Sequence, residues 1–226
     1  MLSLLPLVAG LAGGARAAEP RAYGSGFLVR PDGWLLTSAQ VTKDARALSV
    51  TCPDRPKVAA AVDHVVPRLD VAVLRIPQES LPYLTLSLSI SVSEMVLVGD
   101  TVATVVYLNA PGAKPAAVPG VATVIGLAGP GNAPEYFQLA MPADRRDPGA
   151  PVVASRGEVI GILTTPAAIR DHVDLATPPA ANVTWTVKAQ AVRALFVAPP
   201  PQQMTRSLDD AIERTKKATC LIEITR

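Results

Sequence analysis

Attack on a carbonyl by a side chain needs a hydroxyl or thiol nucleophile, an imidazole to take its proton, and a carboxylate to fix the imidazole's tautomer. The chain holds two histidines, and neither sits in an obvious catalytic setting. His64 lies six residues before Asp70, near the end of an apolar run approaching that aspartate, and His172 falls in the polar stretch Arg170 to Asp174. Both read as solvated or hydrogen-bonded loop histidines. Ser155, at the tip of the turn Ser155-Arg156-Gly157, and Ser38, two residues before Gln40, read as turn and strand-edge hydroxyls. No His/Cys/Asp/Glu cluster has metal-ligand spacing and no glycine loop is built to cradle phosphate, so neither a metal nor a cofactor is expected. Asn182-Val183-Thr184 fits a glycosylation sequon, a short pattern of little weight alone.

Composition narrows the partners. Hydrophobic residues make up 49 % of the 226 and charged ones 18 %, which allows a sizeable core and excludes a disordered chain. The net charge is only +2 with no long basic run, and aromatics are 4 %, so neither a phosphate-tracking nor a base-stacking surface is expected; nucleic acid is not a predicted partner. Met1 to Ala17 is apolar, too short to span a bilayer, and ends Ala15-Arg16-Ala17, an A-x-A pattern. It reads as a secretory signal over residues 1–17, with the rest exported to the periplasm or beyond and no membrane span remaining. In such a compartment Cys52 and Cys220 are a candidate disulfide; two buried free thiols are the alternative, which spacing alone does not decide.

The elements that must position any site are short strands. Apolar runs flank Pro31-Asp32-Gly33, whose proline and glycine suit a tight hairpin turn. Ala45 to Val50 and Val58 to Val62 flank the breaker cluster Cys52-Pro53-Asp54-Arg55-Pro56. Leu84 to Val98 alternates apolar with Ser/Thr, which predicts a strand with one apolar face. Val102 to Leu108 and Val121 to Leu127 read as strands joined by a loop over 109–120, and Val183 to Val187 as another. Ten to twelve short strands with turn signals every eight to twelve residues indicate an antiparallel sandwich or barrel.

Two blocks sharpen this. Gly24-Ser25-Gly26-Phe27, Pro31-Asp32-Gly33 and the following Leu36-Thr37 to Val41 resemble, without a gap, a segment of the HtrA (Deg) family of trypsin-like serine proteases. Gly157-Glu158-Val159-Ile160-Gly161-Ile162 matches that family's G-E-V-I-G-I letter for letter, with Pro151 as the motif proline. Between them Asp70-Val71-Ala72-Val73-Leu74 is similar to the family's aspartate segment. The resemblance implies a chymotrypsin-like, all-β fold of two six-stranded barrels with the site in the cleft between them. It also implies triad positions held by Gln40 for the histidine, Asp70 for the aspartate and Pro148 for the serine, and oxyanion-hole positions held by Arg146 and Pro148. Gln40 has no basic lone pair, and Pro148 has neither hydroxyl nor N–H. The expectation is a catalytically inactive homologue that binds peptide or protein in the cleft. An active endopeptidase with relocated groups and a purely structural module of a tandem protein are the alternatives.

Past a short closing helix over Lys188 to Phe196, residues 198–206 read as a Pro-rich linker. Ser207 then caps a helix with Asp209 and Asp210 in its first turn and Lys216 and Lys217 near its last, and Thr219 to Ile224 is β-branched. The expected domain is thus 18–197, with 207–226 either folding back to supply a strand missing from the first barrel or opening a second module.

Overall fold

The computed structural model describes residues 21–87, 96–108, 116–141, 147–169, 181–195, 197 and 199–226. The leader, Arg146 and His172 lie outside them. The described strands form two closed antiparallel barrels of six strands each, the double-barrel fold expected.

The first barrel begins with the hairpin β1 (Arg21–Arg30) and β2 (Trp34–Thr37), turned at Gly33 with φ +86°. Any Cβ on Gly33 would lie 2.2 Å from the Ile76 carbonyl oxygen, so the turn tolerates only glycine there. β3 (Ala47–Thr51), β4 (Val58–Val66) and β5 (Val71–Arg75) follow, and β5 returns to pair with β2. The second barrel comprises β6 (Thr101–Leu108), β7 (Ala116–Gly126), β8 (Tyr136–Ala140), β9 (Pro151–Val153), β10 (Val159–Thr164) and β11 (Val183–Lys188), in the closed order β10, β11, β8, β7, β6, β9.

Three local expectations change. β7 starts at Ala116, inside the stretch read as loop. The closing helix is two 3-10 turns, Ala189–Ala191 and Arg193–Leu195, after a strand that runs to Lys188. Leu84 to Ser87 is no one-sided strand: Leu84, Thr85, Leu86 and Ser87 are all buried. The Leu84 N–H donates to the Leu28 carbonyl in the first barrel, and Leu86 bridges Val159 in the second, so the connection is covered by both. Residues 88–95 of that prediction lie outside the described ones.

The last strand closes the first barrel. β12 (Thr219–Thr225) lies between β1 and β3, with Gly26 opposite Cys220 and Ser49 opposite Glu223. It follows α3 (Leu208–Ala218), whose first turn is capped by the Ser207 hydroxyl accepting from the Asp210 N–H. α3 packs against β6, β7 and β9, so this segment touches both barrels. The linker before it runs over the surface: the Val197 carbonyl accepts from Arg30, the Pro200 carbonyl from the Tyr83 hydroxyl, and the Thr205 N–H donates to the Arg156 carbonyl. One apolar core fills the first barrel around Phe27, Leu36, Leu74 and Ile222 and continues into Val159, Ile162 and Trp185 of the second. A smaller core around Val102, Phe137, Leu139 and Ile160 fills the rest.

Cys52, just past β3, and Cys220 in β12 are joined by a disulfide with Cα atoms 4.3 Å apart and 168 residues of separation. Cross-linking so long a loop removes much entropy from the unfolded chain. Replacing Cys220 with Ser is expected to cost about 3–5 kcal/mol, read as a lowered urea midpoint against the oxidised wild type.

Candidate functional site

The site is built where the barrels meet, around one carboxylate. A 3-10 turn, Pro67–Leu69, delivers Asp70 in the left-handed region (φ 54°, ψ 43°) with only 2 % of its surface exposed. Its Oδ1 accepts from the Ser38 hydroxyl at 2.6 Å and the Gln40 N–H at 2.9 Å. Its Oδ2 accepts from the Thr164 hydroxyl at 2.7 Å, and its backbone carbonyl accepts from the Ala39 N–H. The first two donors come from the first barrel and Thr164 from the end of β10. Burial pushes the carboxyl pKa up, and these hydrogen bonds to the ionised form oppose the push only in part.

Gln40 stands in the four-residue helix α1 (Ala39–Thr42), whose cap is the buried Ser38; that serine is a cap and carboxylate donor rather than a strand-edge hydroxyl. The backbone N–H of Gln40, not its carboxamide, serves Asp70. The carboxamide oxygen is exposed and accepts from the Thr165 hydroxyl at 3.1 Å. His64 lies inside β4, opposite Val73 at a bulge and exposed, instead of in a loop. Among the described residues, none of the side chains bonded to Asp70 is an imidazole. Ser155 is in the expected turn, where its carbonyl accepts from the Thr205 hydroxyl.

Pro148 sits in the turn entering β9, next to Gly149. That glycine has φ +90°, and a Cβ on it would fall 2.5–2.6 Å from the Thr37 hydroxyl, the Ser25 carbonyl and the Ser38 N–H. The turn's backbone therefore presses directly on the hairpin that carries Ser38, and Gln40, Asp70 and Pro148 converge on one region. Beside it is a group that sequence reasoning passed over. Asp147, largely buried, accepts a short hydrogen bond from the Ser25 hydroxyl, which itself accepts from the Tyr107 N–H at 2.8 Å. Burial pushes the Asp147 carboxyl up to about 6, and the Ser25 bond opposes this. Its partner lies 122 residues away. The only sequence signal was an acid flanked by apolar strands.

An open cavity of about 450 Å³ lies against α1. Gln40, Lys43, Val65, Pro67 and Asp70 line one side, and Ala167 and Ala168 the other. The alanines belong to α2 (Pro166–Ile169), which begins as soon as β10 ends. Pro166 has no N–H to give, and the Thr165 carbonyl already accepts from Ala168. Past Thr164, therefore, this wall offers a pocket, and β10 itself is paired on both sides, by β9 and β11. Among the described residues no group of three or more His, Cys, Asp or Glu is placed to hold a metal. No helix among them is long and apolar enough to cross a membrane.

Comparison with known proteins gives a consistent picture. The family model described as trypsin-like peptidase domain matches residues 24–162. A probable periplasmic serine endoprotease, DegP-like, of Pseudomonas fluorescens is 32 % identical over 151 residues, 66 % of this chain and 30 % of that protein. A protein of the same description from Chlamydia pneumoniae is 40 % identical over 77 residues, 34 % of this chain and 15 % of its own length. Among solved structures, the HtrA-type protease AlgW with decapeptide superposes with a TM-score of 0.57 at 21 % identity, covering 76 % of this chain and 50 % of that one. The chain thus spans about 30 % of the length of the Pseudomonas relative.

A test of the buried acid follows from proton linkage. A carboxyl whose folded pKa is about 6, against about 3.9 unfolded, keeps its proton in the fold at pH values where the unfolded chain has lost it. Its contribution to stability therefore falls as pH climbs from about 4 to about 6 and stays low above that, a difference of roughly 2–3 kcal/mol. Asp147→Asn keeps an acceptor for Ser25 but does not titrate. The variant is expected to match the wild type near pH 4 and to exceed it by about 2 kcal/mol at pH 7, measured by urea unfolding at both pH values.

Proposed function

The chain belongs to the trypsin-like peptidase domain family, of HtrA type, and from that membership we propose that it is an exported pseudoprotease that holds a peptide or protein segment in the inter-barrel cleft without cutting it. The observation that carries this reading is the bonding of Asp70. In a working site of this kind the carboxylate fixes an imidazole. Here its oxygens are occupied by Ser38, Thr164 and the Gln40 backbone, while the Gln40 carboxamide turns to Thr165. A neutral carboxamide takes no proton from an alcohol, and Pro148 offers no alcohol to deprotonate. It also removes one backbone donor from the place where an oxyanion would be held.

The cleft supports a binding role. Its walls carry the methyl groups of Val65, Ala167 and Ala168 with Lys43 and Gln40 at the rim, a mixture suited to seating an apolar side chain while meeting polar groups of a ligand backbone. The closed strand edge at α2 favours a residue inserted as a knob over a peptide laid down as an extra strand. Export is supported by the leader's pattern and by the periplasmic relatives.

Two measurements test the reading. Purified protein is expected to show neither labelling by a fluorophosphonate nor turnover of an unfolded protein substrate; label mapped to a serine overturns inactivity. In a peptide-array screen, apolar-containing peptides are expected to be retained by the wild type and weakened about tenfold by Ala168→Trp, which fills the cavity, a change of about 1.4 kcal/mol. Retention unchanged by that substitution, or absent from the wild type, overturns the cleft as the binding site.

A further inference from the structure

The slot between β1 and β3 is an acceptor site for a strand that arrives from far along the chain. β12 pairs along both of its edges, seven register positions on β1 and five on β3. Every one of these partners precedes it by more than 160 residues, from Thr225 on Ala47 to Arg21 on Thr225. α3 and β12 form one unit. The Ser207 cap, the acids of the first turn and the lysines of the last are local to the segment, and the Thr219 hydroxyl bonds back to the Thr215 carbonyl at the helix-to-strand corner.

The disulfide, the β12 ladders and the α3 packing would form equally on an identical barrel, so what makes the unit's own barrel its partner is the linker. Residues 198–206 contain Pro199-Pro200-Pro201; the bonds of Pro200 to the Tyr83 hydroxyl and of the Thr205 hydroxyl to Ser155 are at exposed positions, and the Gln202 carboxamide adds a part-buried bond to the Tyr83 carbonyl. At about 3.1 Å per residue, a proline-stiffened linker of this length reaches roughly 28 Å, enough to carry the segment off its own barrel and onto another. A second copy presents an identical slot. Exchange keeps the β12 ladders, the packing of α3 on β6, β7 and β9, and the seat of Cys220 beside Cys52, and gives up only linker contacts.

We propose that the Ser207–Arg226 segment is exchangeable, and that two copies trade it reciprocally to form a two-fold dimer in which each first barrel is closed by its partner's β12. The occupant of the slot is thus a second copy of this chain. The geometry follows from the general rule that swapping an identical element is a low-cost route to a dimer.

The cysteine pair reports the exchange directly. Full-length Cys220→Ser keeps only Cys52, and full-length Cys52→Ser keeps only Cys220, so a Cys52–Cys220 bond in the mixture joins two different chains. The two are mixed, unfolded, refolded together at increasing concentration under mild oxidation, and read by non-reducing gel and peptide mapping. The expected result is a heterodimer carrying the Cys52–Cys220 peptide, its yield rising with concentration. Adding Ile222→Asp to the Cys52→Ser variant removes the buried side chain that seats β12 and is expected to abolish the bond. Absence of the mapped peptide from folded variants at every concentration overturns the proposal. So does a bond that survives Ile222→Asp, since capture would then not need the slot. Should the single-cysteine variants not fold, the wild-type chain is refolded over the same range and analysed by sedimentation. A disulfide-linked dimer, separable by reductant and denaturant together, upholds exchange, and monomer throughout rejects it.

Discussion

An open sheet edge in water presents a row of unpaired N–H and C=O groups. Without β12 the first barrel would have two such edges, on β1 and β3, with the side chains of Phe27, Val50 and Ile76 behind them. Closure of this barrel is the constraint from which the remainder follows. β1 carries Ser25, which anchors Asp147, and it leads through the Gly33 turn to Thr37 and Ser38, against which Gly149 is pressed. A strand supplied from the far end of the sequence therefore sets the position of the hairpin on which every part of the site leans.

The site is organised around a carboxylate whose partners are hydroxyls and main-chain N–H groups. Asp70 retains a full set of donors, and burial makes that necessary, because an unpaired buried carboxylate costs several kcal/mol (order of magnitude). Two hydroxyls and a backbone N–H meet that demand. The same logic applies at Asp147, where a serine hydroxyl is the partner and the carboxyl holds its proton more tightly than usual.

The antiparallel strands were legible because their signals are local, while the pair of six-stranded barrels came only from the resemblance to the HtrA family. Glycine at the Pro31-Asp32-Gly33 turn marks a positive φ, and short apolar runs between breakers mark strands. The Asp147 contact was not legible, since nothing near Asp147 indicates a serine on β1. β7 begins at Ala116, inside the Pro/Gly/Ala-rich stretch that reads as loop. Pro119 takes its place in the ladder opposite Val105 of β6. Leu84 to Ser87 misled in the opposite way: period-two apolarity normally means one wet face, but a segment threaded between two barrels has none. Gln40 and Asp70 meet through the main chain, a detail that residue identity does not carry.

The bond from Thr164 to Asp70 crosses from one barrel to the other, and the Tyr136 hydroxyl, from β8, crosses back to the Arg68 carbonyl two residues before that aspartate. The two bonds land two residues apart on one short stretch of the first barrel, fastening it to β8 and β10 of the second. Sliding one half against the other would strip a buried carboxylate of its donor, so this fastening opposes such a motion.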